Sequence, residues 1–203
     1  MSEEAKLLPP LDDRRRFKSL WRELLYARVL AAMAAGALGE TLITPLDPPG
    51  LVNLVARSFF MALPSAVAKK GWKVLPLTAA LTASAALVVY AVEVCFEVDS
   101  GLISRGYPVA IFTAVGVAEG LFERSIATTW CGMIGGALSG AVMDEWVNWF
   151  QWHPLLEFLP FDRGVLPEAS SSAIAYLGVG LSLALGRWVR DIPKRAAARE
   201  RTP

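Results

Sequence analysis

The sequence predicts an all-α membrane protein: a polytopic bundle of about six transmembrane helices, with a further tryptophan-rich helix lying at the outer interface. Three observations predict it. The 203 residues are 54% hydrophobic and only 19% charged, whereas soluble domains are about 45–50% apolar and about 25% charged. The apolar residues fall in runs close to the ~20 needed to cross a ~30 Å hydrocarbon core. The basic residues fall in alternate connections between those runs. Backbone groups in lipid must bond within their own segment, so each run is read as a helix. The alternation expected of barrel strands is absent.

Segment one is Leu24–Ile43. The prolines of Thr44-Pro45-Leu46-Asp47-Pro48-Pro49-Gly50 end it, because tandem prolines cannot continue a helix. Segment two, Leu51–Val67, is short and interrupted by Pro64. Segment three is Val74–Phe96, segment four about Tyr107–Phe122, segment five Ile126–Met143 and segment six Ser170–Val189. Segments two and four are short enough to tilt, re-enter or lie partly within protein. Residues 1–23 form a basic N-terminal segment, 24–190 the membrane domain with an external loop at 144–169, and 191–203 a basic tail. The first segment is expected to stay on the protein. It is longer than the 7–15 residue apolar core of a signal peptide, and the stretch before it is long and carries several acids.

Lysine and arginine concentrate in cytoplasmic loops. With six spans, 17 of the 20 basic residues lie on one side. They are the N-terminal group through Arg28, then Lys69, Lys70, Lys73 and Arg124, then the group from Arg187 onward. Five or seven spans would scatter them. Both termini are therefore expected in the cytoplasm, in a membrane expected to be the bacterial cytoplasmic membrane.

The external loop holds Trp146, Trp149, Phe150 and Trp152. The first three share a helical face with His153, and Pro154 ends that helix. Aromatic rings of this kind favour the headgroup level. The stretch reads as an interfacial helix, or alternatively as a lid or a docking surface. An arginine, then a small-residue helix, then an acid recurs along the chain, which suggests duplicated helix pairs.

The densest motif runs from Gly132 through Gly135 and Gly136 to Gly140. Gly132, Gly136 and Gly140 lie on one helix face, where small residues let another backbone approach closely. The partner is a helix of the same chain or of another protomer. Charges inside the spans form a second group. Glu40, Glu93 and Arg57 are expected at one outer depth, giving an Arg57–Glu40 or Arg57–Glu93 pair. Glu119 is expected at an inner depth with Arg28 and Arg187. They read either as ion-pair layers that fix helix register or as an ion or proton path. Cys95 and Cys131 are expected too far apart to bridge.

Gly116-Val-Ala-Glu119-Gly120-Leu-Phe-Glu-Arg124-Ser125, running into Gly135-Gly136-Ala-Leu-Ser-Gly140, resembles a glycine-rich repeated membrane module of bacterial proteins. There the module is often joined to forkhead-associated or von Willebrand-type domains. The resemblance covers about a third of the chain, and the soluble signalling domain has no counterpart in this sequence. It implies a membrane platform that associates with other subunits, and it transfers no catalytic residue.

No nucleotide loop, triad or zinc spacing is present, and His153 is the only histidine. No catalytic residue, cofactor, metal site or nucleic-acid partner is therefore expected. The expected partners are the lipid bilayer and other membrane subunits or further copies of the chain. The function expected is a scaffold or small subunit of a membrane assembly. A small ion- or proton-coupled transporter or channel using the intramembrane carboxylates is the alternative.

Overall fold

The computed structural model describes residues 28–46, 50–68, 71–96, 100–151 and 164–200. They form six helices: α1 Ala31–Ile43, α2 Gly50–Ala68, α3 Val74–Phe96, α4 Ser100–Phe122, α5 Ile126–Gln151 and α6 Val165–Glu200. A π turn at 28–30 leads into α1 and a 3-10 turn, Thr44–Leu46, follows it. There is no strand among the described residues. Each helix packs on the next, and α1 also packs on α6, so the six close into a ring.

Neighbours in the ring run antiparallel. Arg57 of α2 reaches Glu40 near the end of α1, and Thr82 of α3 bonds the Ser58 carbonyl of α2. Gly140 of α5 meets Pro108 of α4 near one end of that pair, and Gly120 meets Thr129 near the other. The chain therefore runs up and down through six passes of the bundle.

What lies outside and what lies inside are reversed relative to a soluble protein. Leu38 and Leu42 on α1, Val88 and Phe96 on α3, Ile134 and Leu138 on α5, and Leu185 and Trp188 on α6 are exposed. Ser58, Ser65, Thr78, Thr82, Thr128, Ser171 and Ser172 are buried, with Arg28 and Glu119. Soluble monomers rarely expose apolar patches beyond a few hundred Å². A lipid environment removes that penalty and reverses the preference. The helices α3, α5 and α6 are long and apolar enough to cross a membrane. α1, at 13 residues, and the apolar stretch Val55–Ala68 of α2 are shorter than such a span, and in α4 polar residues such as Arg105 and Glu119 lower the hydropathy.

α3 shows the logic at its simplest. Val74, Thr78, Thr82 and Ala86 recur every four residues and are buried, and most of the rest of its surface is open. Thr78 and Thr82 return their hydroxyls to the carbonyls four residues earlier, so no polar hydrogen is left in an apolar place.

Several bounds differ from those expected. α2 passes through Pro64 without ending, and α4 begins seven residues before Tyr107. α5 continues beyond Met143 to Gln151. No proline or glycine lies between Gly140 and Gln151 to stop it. Trp146, Trp149 and Phe150 are thus the last turns of α5 and not a separate interfacial helix. Their rings pack on one another, and the Trp146 indole donates to the Ser170 hydroxyl at 3.0 Å, tying α5 to the start of α6. Trp152 and His153, residues 1–23, and the end of the tail lie outside the described residues.

Candidate functional site: two polar layers in the bundle

Four helices face the bundle interior with polar groups at two levels. On α4, Tyr107 and Glu119 are twelve residues apart, or about 18 Å at a rise of about 1.5 Å per residue. Arg28, in the π turn that leads into α1, and Glu40, near the end of α1, have the same spacing.

The inner layer is built on Glu119. Arg28 Nη1 donates to Glu119 Oε1 at 2.9 Å and Nη2 to Oε2 at 2.5 Å. Both side chains are 0% exposed. The Ser65 hydroxyl of α2 adds a third bond to Oε1 at 2.9 Å. Tyr176 of α6 is fully buried beside the same groups, within reach of Ser65. Its ring stacks edge-on against Phe112, at 5.4 Å between centroids. A two-pronged guanidinium–carboxylate pair is among the strongest hydrogen-bonded units available, and its flat geometry fixes orientation.

The outer layer is built on Arg57 of α2. Its Nη2 lies 3.0 Å from Glu40 Oε2 and its Nη1 3.8 Å from Glu168 Oε1 of α6. Its Nε donates to Asn53 Oδ1 at 2.9 Å. Ser58, next in sequence, meets the Tyr107 hydroxyl at 3.4 Å. This layer is partly open: Arg57, Glu40 and Glu168 are 25%, 16% and 23% exposed. Among the described residues it brings two carboxylates to one guanidinium.

Between the layers the interior is apolar, and Phe112 of α4 fills it together with smaller side chains. Ala32 and Ala35 of α1, Ala62 of α2, Val115 of α4 and Ala175 of α6 are buried there. Ser172 interrupts this band, its hydroxyl 3.8 Å from the Met61 sulfur.

The remaining charges mark the ends of the bundle. Arg187 pairs with Glu123 at 3.2 Å, not with Glu119. Glu123 is one helical turn beyond Glu119, and Arg190 shares it at 3.9 Å. Arg105 lies 3.9 Å from Asp144 at the opposite end. Glu93 does not share the depth of Arg57. Thr82 is the α3 residue level with Ser58, and Glu93 lies about 16 Å further along that helix. The offset arises because α3 runs well past the beginning of α2.

The glycine face is turned toward α4. A side chain at Gly132 would collide with the Gly116 carbonyl, at Gly136 with the Phe112 carbonyl, and at Gly140 with the Pro108 carbonyl. Gly135 faces Ser182 of α6. α5 is therefore held between two helices of its own chain, and Ile126, Trp130, Ile134 and Leu138 point outward.

Sequence reasoning did not single out Asn53, Ser65, Tyr107 or Tyr176, and left Glu168 within the external loop at 144–169. The signal was in the helical phase. Ser65 lies eight residues from Arg57, Tyr176 eight from Glu168, and Tyr107 twelve from Glu119. The eight-residue spacings return a polar group to within about 80° of the same helix face, whereas twelve residues place Tyr107 about 120° round α4 from Glu119, so that residue carried no such signal. Cys95 and Cys131 are both free thiols. Among the described residues no three of His, Cys, Asp and Glu gather as a metal site would. Comparison with family models, with curated proteins and with solved structures gave no match.

Proposed function

We propose that this chain is a non-enzymatic integral membrane protein that works through its polar interior, as a small ion- or proton-coupled transporter or channel in a closed state. All six helices cross the bilayer, both termini lie in the cytoplasm, and the membrane is the bacterial cytoplasmic membrane. The observation that carries the reading is the pair of layers: a half-open cluster of Glu40, Arg57 and Glu168, and a sealed Arg28–Glu119 pair. Ionisable groups at membrane depth face bundle interiors and mark ion or proton routes. An apolar band separates the half-open layer from the sealed one, and apolar constrictions of this kind gate pores through dewetting. Centred in a ~30 Å core, layers ~18 Å apart each lie about 6 Å inside an edge. An ion or proton would load at the outer carboxylates and leave past Glu119 once Arg28 releases it.

A second reading is a scaffold or small subunit of a membrane assembly. What favours it is the completeness of the inner tie, with both Glu119 oxygens bound. Such a tie fixes helix register with no need of a permeant. One experiment separates the readings. Purified protein is reconstituted in liposomes and proton and monovalent cation flux is followed by internal dyes. Transport predicts flux that Glu40→Gln and Glu119→Gln abolish while the protein stays folded, and that Glu93→Gln leaves intact. Silence in flux, with fixed partners in material purified from native membrane, would favour the scaffold.

A further inference from the structure

The membrane-facing side of the α4–α5 hairpin carries a groove of about 440 Å³ at the end of the bundle that holds Glu123, Arg187 and Arg190. Val117 and Leu121 of α4 form one wall, and Trp130 and Met133 of α5 form the other. Arg124, in the turn between the helices, stands at its mouth. The turn sets it there: Arg124 has φ 52°, a left-handed conformation that side-chain-bearing residues rarely adopt. Its N–H returns to the Leu121 carbonyl at 2.9 Å, and the Ser125 carbonyl receives the Thr129 N–H at 2.9 Å as α5 starts. The backbone thus turns sharply and holds the arginine outward, exposed. Among the described residues no carboxylate pairs with it, whereas Arg187 and Arg190 both share Glu123.

We infer that this groove binds one anionic phospholipid, its phosphate on Arg124 and an acyl chain along Val117, Leu121, Trp130 and Met133. The inference rests on the reading that the bundle is embedded in a bilayer. From Ile126 to Met133 the groove follows α5 for about 10 Å. A cation at the polar end and an apolar slot toward the bilayer interior match a phospholipid in charge and in order. Basic pockets between helices at a cytoplasmic membrane face recognise lipid headgroups in this way. Trp130 is 58% exposed and has its indole against the slot, where an acyl chain covers it.

The test uses full-length protein in nanodiscs of equal phosphatidylglycerol and phosphatidylcholine, followed by native mass spectrometry of the lipids retained after release. Wild type is expected to retain a single phosphatidylglycerol several-fold over phosphatidylcholine. Arg124→Gln is expected to bring the ratio to about one. Met133→Trp, which fills the slot, is expected to lose the retained lipid of both kinds. Arg105→Gln, at the other end of the bundle, is expected to keep the wild-type ratio. Equal retention of the two lipids by wild type, an unchanged ratio in Arg124→Gln, or an equal loss in Arg105→Gln would each overturn the inference. Thermal unfolding of each variant distinguishes loss of the site from loss of the fold. A silent flux assay with a selective Arg124 site would leave this inference standing and remove only the transport reading.

Discussion

Arg28 is the bulkiest of the fully buried side chains among the described residues, larger in volume than Tyr176 or Phe112. A guanidinium in that position is tolerable only because Glu119 meets it with two oxygens and Ser65 supplies a further donor. Removing one partner strands the other, so Arg28→Met or Glu119→Leu should each cost roughly 3–5 kcal/mol. The double variant should recover most of that loss, since a well-packed apolar pair is often neutral or better in place of a buried ion pair. Unfolding of the four proteins in one detergent checks the cycle. Additive losses would mean that the two charges do not act as a pair. Ser65→Ala removes a single bond to a charged group and should cost about 1.5–3 kcal/mol by the same measurement.

At the scale of the element, the contrast between glycines is informative. Gly116 and Gly132 bring α4 and α5 into backbone contact, and a side chain on either would have to push the helices apart. Gly106, in α4 as well, has open space where a side chain would go. Gly106→Ala should therefore stabilise the protein by about 0.5–1 kcal/mol through helix propensity alone. Gly132→Val should destabilise it by more than about 2 kcal/mol, as overpacking against a rigid backbone does. Thermal unfolding of the two variants side by side decides whether close approach or composition explains the glycines. At the far end of α5, Trp146→Phe keeps the ring packing and removes the indole bond to Ser170. A loss of about 1 kcal/mol is expected in the same assay.

At the scale of the whole molecule, the up-and-down path gives a topology prediction. In a background lacking Cys95 and Cys131, cysteines placed at Lys73 and Arg124 should react with an impermeant maleimide from one face of oriented vesicles. Cysteines at Leu46 and Arg105, both exposed, should react from the other face. Labelling of Lys73→Cys and Arg105→Cys from the same face would break the alternation on which the two polar layers depend.

The membrane class was legible in the sequence because lipid imposes a one-dimensional demand. A run of apolar residues long enough to cross must be a helix, and charge collects between runs. That is why α3 has the expected bounds, and why Arg28, Glu40, Arg57 and Glu119 stood out as charges inside apolar runs. Partners were legible only in part. Arg57 with Glu40 and Glu119 with Arg28 were expected and pair. Glu93 with Arg57 and Arg187 with Glu119 were expected as well, because the sequence does not show the relative heights of helices on which pairing depends. Glu93 looked level with Arg57 when counted from helix ends, yet α3 overshoots α2 and carries it about 16 Å away. Glu168 looked like a loop residue, yet α6 starts early enough to aim it at Arg57. The fold class and the presence of interior charge were thus determined by the sequence alone. Which acid meets which arginine, and which layer is sealed, was decided by tertiary packing. Helix heights are set by contacts between different helices, such as Gly116 on Gly132 and, between residues far apart in the chain, Gly36 on Ser172.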